Sequence, residues 1–215
     1  MKKCLFCAAL GMMIGESASF GQGFIRLDSY DTTPSPLVTY GNNVPANGVS
    51  GAFGAFGAGL DSNWTVGFYF ASGVVTADST AGNGLVSPAL SLATGLGSSA
   101  TFGPFGSDSD GTFFSSYGFN TGLPAGSTIT IELVAFPTSS GSYESAGYRA
   151  HSAAFTLLTT AAINPIYTPA QAPFTVGSAM HSFSIAAVPT PEPSVMVLAM
   201  LGGVGMFALS RRKKT

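Results

Sequence analysis

Cysteine is almost missing from this chain. Its 215 residues hold two, Cys4 and Cys7, both at the start. Residues 23–187 have no thiol for a disulfide framework or a thiolate-bound metal. That stretch must depend on its core alone. Positive charge is nearly as scarce. Every lysine (Lys2, Lys3, Lys213, Lys214) lies at one end or the other. Between Gly23 and Val188 the cations are Arg26 and Arg149, set against Asp28, Asp31, Asp61, Asp78, Asp108, Asp110, Glu132 and Glu144. Binding nucleic acid requires clustered lysine or arginine that displaces counterions from phosphates. The interior has no such cluster, which excludes that class and argues against a face that binds anionic lipid. Charged residues make up only 8% of the chain, so Gly, Ser, Thr, Asn and Ala must supply much of the surface. Such a surface is compatible with hydrated polysaccharide surroundings. Also missing between Gly23 and Val188 is a capped apolar stripe at 3.6-residue spacing, so no substantial helix is expected there. Ala161 and Ala162 allow one helical turn at most, because Pro165 would stop it.

Both ends carry what the interior lacks. Met1-Lys2-Lys3 is a positive start, Cys4–Ile14 an apolar run, and Gly15–Gly23 is rich in small residues. That is the layout of a secretory signal peptide over residues 1–22, with cleavage expected after Ser19 or Gly21. At the other end, Pro191-Glu192-Pro193 precedes Val195–Leu209, which contains no charge, and then Arg211, Arg212, Lys213 and Lys214. As a helix the apolar run would span roughly 22 Å at about 1.5 Å per residue. This is short of a bilayer core of about 30 Å. Long basic stems at its end can snorkel and extend its reach. The basic cluster is the stop-transfer signal expected on the cytoplasmic side, and it separates this run from a buried core helix of similar length. Prolines 189, 191 and 193 favour an extended spacer before it.

The tripeptide, the apolar run and the basic end, in that order, resemble the PEP-CTERM sorting segment of bacterial exported proteins. The resemblance covers residues 188–215. It implies delivery by the general secretion machinery and a membrane-embedded exosortase that acts at or near Pro191-Glu192-Pro193. It also implies a bacterium that makes extracellular polysaccharide, and it implies nothing about the fold upstream.

Upstream, strand signals dominate. Thr128–Phe136 alternates Ile129, Ile131, Leu133 and Ala135 with Thr128, Thr130, Glu132 and Val134, the period of a half-buried strand. Trp64–Ala71, His181–Ala187 and Tyr148–Leu158 also read as strands. Phe24–Tyr30, Leu37–Tyr40, Leu90–Thr94 and Thr112–Phe119 are shorter candidates. Thr175–Val188 reads as a terminal strand that leads into the spacer. Gly51–Gly59, GAFGAFGAG, reads as a loop or an irregular edge. Many short strands separated by Gly and Pro predict an all-β fold: one β-sandwich-like domain, jelly-roll or immunoglobulin-like, over residues 23–187.

Few residues offer chemistry. Asp108 and Asp110, spaced i and i+2 before Gly111, look like the middle of a calcium loop. Gly106 and Tyr117 occupy the positions where that loop needs acids, and Asp-Gly is also an ordinary turn pair. His151 and His181 are the only histidines, and no G-x-S-x-G elbow positions a serine for a triad. Glu132, Glu144, Asp28 and Asp31 are the acids a glycosidase would draw on. Solvated acids explain them equally well. Trp64, Tyr69, Tyr117, Tyr143 and Tyr148 could stack on sugar rings, although aromatic residues on strands more often pack a core. The expectation is an exported surface or matrix protein that is not an enzyme and needs no cofactor. Its domain is structural or adhesive. The alternatives are a carbohydrate-binding module or a glycan-active hydrolase.

Overall fold

The computed structural model describes residues 22–30, 35–103, 111–161, 174–176 and 179–189. The expected signal peptide up to residue 21, the calcium candidates Asp108 and Asp110, Asp31, and the sorting residues from Pro191 to Lys214 lie outside the described residues. Among the described residues the secondary structure is all β, apart from one short 3-10 turn at Thr138–Ser140. In chain order the strands are β1 (Gln22–Asp28), β2 (Val38–Tyr40), β3 (Trp64–Ser72), β4 (Ser91–Leu92), β5 (Ser99–Thr101), β6 (Phe114–Pro124), β7 (Thr128–Pro137), β8 (Tyr148–His151), β9 (Phe155–Leu158), β10 (Thr160–Ala161), β11 (Phe174–Thr175) and β12 (Phe183–Ala187).

The two strands with the clearest sequence signal form the spine. β3 and β7 pair antiparallel along their whole length, from Trp64 opposite Pro137 to Ser72 opposite Ile129. The larger sheet runs β2-β12-β8-β7-β3-β4, with β5 also on β3 and β9 also on β7. A smaller sheet places β1 between β10 and β11 and pairs it with β6. The chain changes sheets at the turn between Pro124 and Thr128, which ends β6 and begins β7.

Period-2 alternation decides what faces inward. Trp64, Val66 and Phe68 of β3 are fully buried, as are Ile129, Ile131, Leu133 and Ala135 of β7 and Ile25 and Leu27 of β1. All belong to one apolar cluster, so both sheets share a core. Phe119 of β6 joins them, with its ring 5.0 Å from Phe68 and 5.4 Å from Phe70 in edge-on contacts. Burying each such side chain contributes about 1.5–3 kcal/mol. The buried Trp64 indole donates to the Tyr40 hydroxyl at 3.1 Å and to the Ala46 carbonyl at 3.0 Å, leaving no stranded donor.

Several expectations need correcting. Tyr148–Leu158 is not one strand. Val134 pairs with His151 and Ile131 with Phe155, so this side carries one residue more than β7, a bulge. The Ser152 hydroxyl takes over the ladder there, accepting from the Leu133 N–H at 3.0 Å. The terminal strand is shorter than Thr175–Val188, because Thr175 pairs with β1 in the other sheet. Ala161 lies in β10 rather than a helical turn. Gly51–Gly59 is irregular as expected, tied by single bridges from Phe53 to Pro45 and from Gly59 to Thr39. β7 is not half-buried: Thr130, Glu132 and Val134, expected to face solvent, are 2%, 0% and 1% exposed. The connection 73–90, between β3 and β4, accounts for much of that burial.

Candidate functional site

The outer face of the larger sheet, turned away from the shared core, carries most of the titratable chemistry. It divides into a covered half and an open half.

The covered half lies under connection 73–90. Glu132 is its centre. One carboxylate oxygen accepts the Asp78 N–H at 2.9 Å and the other the Ser87 N–H at 3.4 Å. Burial pushes its pKa up, against the pull of those two N–H bonds; the Asp78 charge adds to the rise and His151 opposes it. His151 Nδ1 is 3.8 Å from Glu132 Oε2 and 2.9 Å from the Ser152 carbonyl oxygen. Potential ligand atoms of Asp78, Glu132 and His151 lie within 4.8 Å of one another. Two carboxylates and an imidazole suit a divalent metal in principle. Here, however, both Glu132 oxygens and Nδ1 already serve backbone groups, so the arrangement works as an anchor. The same connection is held by the Gly82 and His151 backbones, which exchange bonds of 3.1 and 2.7 Å. The Thr130 hydroxyl donates to Gly73 O at 2.8 Å and accepts from Val75 N at 3.1 Å. The Arg149 Nε donates to Asn83 O at 3.0 Å, and the Tyr143 hydroxyl donates to Gly84 O at 2.7 Å.

The open half is a cleft of about 290 Å³. Its floor is Gly67 and Tyr69 of β3 with Val134 and Phe136 of β7. One wall is the segment after β4, including Thr94 and Ser98; the other is the loop from Gly141 to Glu144. The Tyr69 hydroxyl donates to Glu144 Oε1 across the cleft. Among the described residues, Glu144 is the only charged side chain that lines it. Gly67 is unusual. A Cβ there would meet Val134 at 3.6 Å and the Ser98 carbonyl at 3.7 Å, ordinary contacts. It is not among the glycines with positive φ. Neither backbone conformation nor packing requires glycine at this central strand position. Its effect is to keep the cleft floor low.

The remaining candidates go elsewhere. Trp64 is core, and Tyr148 packs against it. Tyr117 is exposed on β6, in the other sheet. Tyr143 does border the cleft, in its Gly141–Glu144 wall, but is 2% exposed, with Arg149 stacked 4.9 Å over its ring. Asp28 is not solvated but buried, 2.6 Å from Arg26. His181 is exposed just before β12. Glu132 and Glu144 stand in separate settings, one under the connection and one on the cleft wall. Sequence reasoning missed Asp78, whose role depends on a long-range approach, and Phe136, which read as the end of a strand. Gly67 carried a visible signal as an isolated glycine in a strand.

Comparison with known proteins addresses the other end of the chain. Residues 189–213 match the PEP-CTERM protein-sorting motif. The chain therefore ends in a sorting segment, as its Pro-Glu-Pro, apolar and basic parts imply. No curated protein and no solved structure matches the chain. No helix among the described residues is long and apolar enough to cross a membrane, and Val195–Leu209 lies outside them.

Proposed function

We propose that this is an exported envelope or matrix protein whose sorting is built into its tail. The observation that carries the reading is the motif at 189–213. Residues 1–22 would direct export through the general secretion machinery. Val195–Leu209 would hold the chain in the membrane, Arg211 to Lys214 would stop transfer, and an exosortase would act near Pro191-Glu192-Pro193. The domain before it, a β-sandwich in this reading, would be left outside the membrane as a structural or adhesive module. Its scarcity of cations and wealth of hydroxyl side chains support that role. A hydrolase is disfavoured, since glycoside cleavage needs two carboxylates about the bond and Glu144 is the one carboxylate that lines the cleft among the described residues.

The test is Glu192→Ala in a host that carries an exosortase. Export should continue while the tail is retained, seen as a heavier, membrane-bound product. Normal tail removal in the variant would overturn the assignment.

A further inference from the structure

We propose that the open cleft binds a neutral saccharide, with Tyr69 and Phe136 as its stacking floor. The proposal gives the adhesive reading of the domain a ligand. It is independent of the sorting reading, which has its own test.

Four observations carry it. The cleft, about 290 Å³, is at the lower end of small-ligand sites, which run about 300–1,000 Å³. Its floor offers two half-buried aromatic rings from adjacent strands, Phe136 opposite Thr65 and Tyr69 opposite Glu132, with the Gly67–Val134 pair between them. The C–H face of a pyranose is weakly positive and packs against the negative face of such a ring. The walls hold the hydroxyls of Thr94, of Ser98 (which donates to the Gly95 carbonyl) and of Ser142 (shared with Ser145), with the Glu144 carboxylate among them, groups that can still accept from a ring of donor-acceptor hydroxyls. Finally, Gly67 keeps the floor low at a position where a Cβ would meet only ordinary contacts.

Charge narrows the ligand class. Among the described residues no lysine, arginine or histidine lines the cleft to neutralise a uronate, sulfate or phosphate. An organic cation fits less well. Arg149 already stacks on the Tyr143 ring, and the Tyr69 hydroxyl engages Glu144. A neutral polyol can donate hydroxyls to the Glu144 carboxylate and brings no charge of its own.

The test is calorimetric titration of the full chain, held in an amine-oxide detergent that carries no sugar. The probes are cellotetraose, maltotetraose, mannotetraose, xylotetraose and chitotetraose, with tetragalacturonate and choline as charged comparisons. At least one neutral tetrasaccharide should bind one per chain, with Kd below about 1 mM. Tyr69→Ala and Phe136→Ala should each weaken it by about tenfold or more. Gly67→Leu, which fills the floor, should abolish binding while leaving the β-rich circular dichroism spectrum and melting temperature near wild type. Thr156→Ala on β9, which is exposed and does not line the cleft, should change nothing. Failure of all five neutral probes to bind, binding unmoved by the three cleft variants, or preference for tetragalacturonate or choline would overturn the proposal.

Discussion

The covered and open halves of the outer face are built on the same two strands, yet their chemistry runs in opposite directions. Under connection 73–90, Glu132 and His151 are almost fully inaccessible and their polar atoms serve the chain itself. Beside it, Tyr69 and Phe136 remain half-buried and line a cleft. A buried ionisable cluster looks at first like the functional site, and an aromatic floor looks like exposed core. The bonding pattern reverses both impressions. A buried polar group costs stability unless it is bonded, and Glu132 meets that requirement with backbone donors of the connection. Its work is to hold the covering segment down. The open half has half-buried aromatic rings and unfilled space instead.

The sharpest way to break this contrast is Glu132→Ala. It would leave the half-buried Asp78 and Ser87 N–H groups without their acceptor and should cost about 1–3 kcal/mol. Urea denaturation would measure the loss, and limited proteolysis should then cut within 73–90. A variant as stable as wild type would remove the anchor role.

A pair of glycines gives a finer comparison. At Gly82, in the covered half, a Cβ would come within 2.9 Å of His151 Nε2. Gly82→Ala should therefore cost about 1–3 kcal/mol through overpacking. At Gly67, in the open half, the same change meets only ordinary contacts and should stabilise by about 0.5–1 kcal/mol, because glycine inside a strand carries an entropy penalty. Thermal melts of the two variants should move in opposite directions. Equal shifts would mean the halves are equally packed.

The smallest effect expected is on pH dependence. Burial first, then the Asp78 charge, raise the Glu132 pKa in the fold above its usual value of 4.5, with His151 acting against them. The native state thus holds a proton that the unfolded chain releases. This contribution to stability is complete below the unfolded value and is lost as pH rises through the folded one. Glu132→Gln cannot titrate. Melting temperatures taken across about pH 4 to 8 should show the wild type losing ground to the Gln variant as pH rises. A difference that runs the other way would contradict the burial account.

Local features of this molecule were legible in its sequence, and long-range ones were not. β3 and β7 announced themselves because alternation and β-branched or aromatic side chains act along a single strand. The sorting segment was legible for the same reason: Pro191-Glu192-Pro193, Val195–Leu209 and Arg211–Lys214 form a linear signal. β5, β10 and β11 are two or three residues long, too short to show a period. Glu132 read as a solvated acid because nothing in ITIELVAF reveals that residues 73–90 fold over it. Asp78 became meaningful only through that approach. Gly67, an isolated glycine inside a strand, was a local signal that the sequence reading passed over.

The central claim is that both ends of this chain direct its traffic, with the β domain as the cargo. The most direct measurement is the intact mass of the protein recovered from the envelope of an exosortase-bearing host. The account predicts a product that begins after Ser19 or Gly21 and ends near Pro191–Pro193, with Val195–Leu209 gone. Recovery of the whole chain, at its full 21.8 kDa, from that host would contradict it.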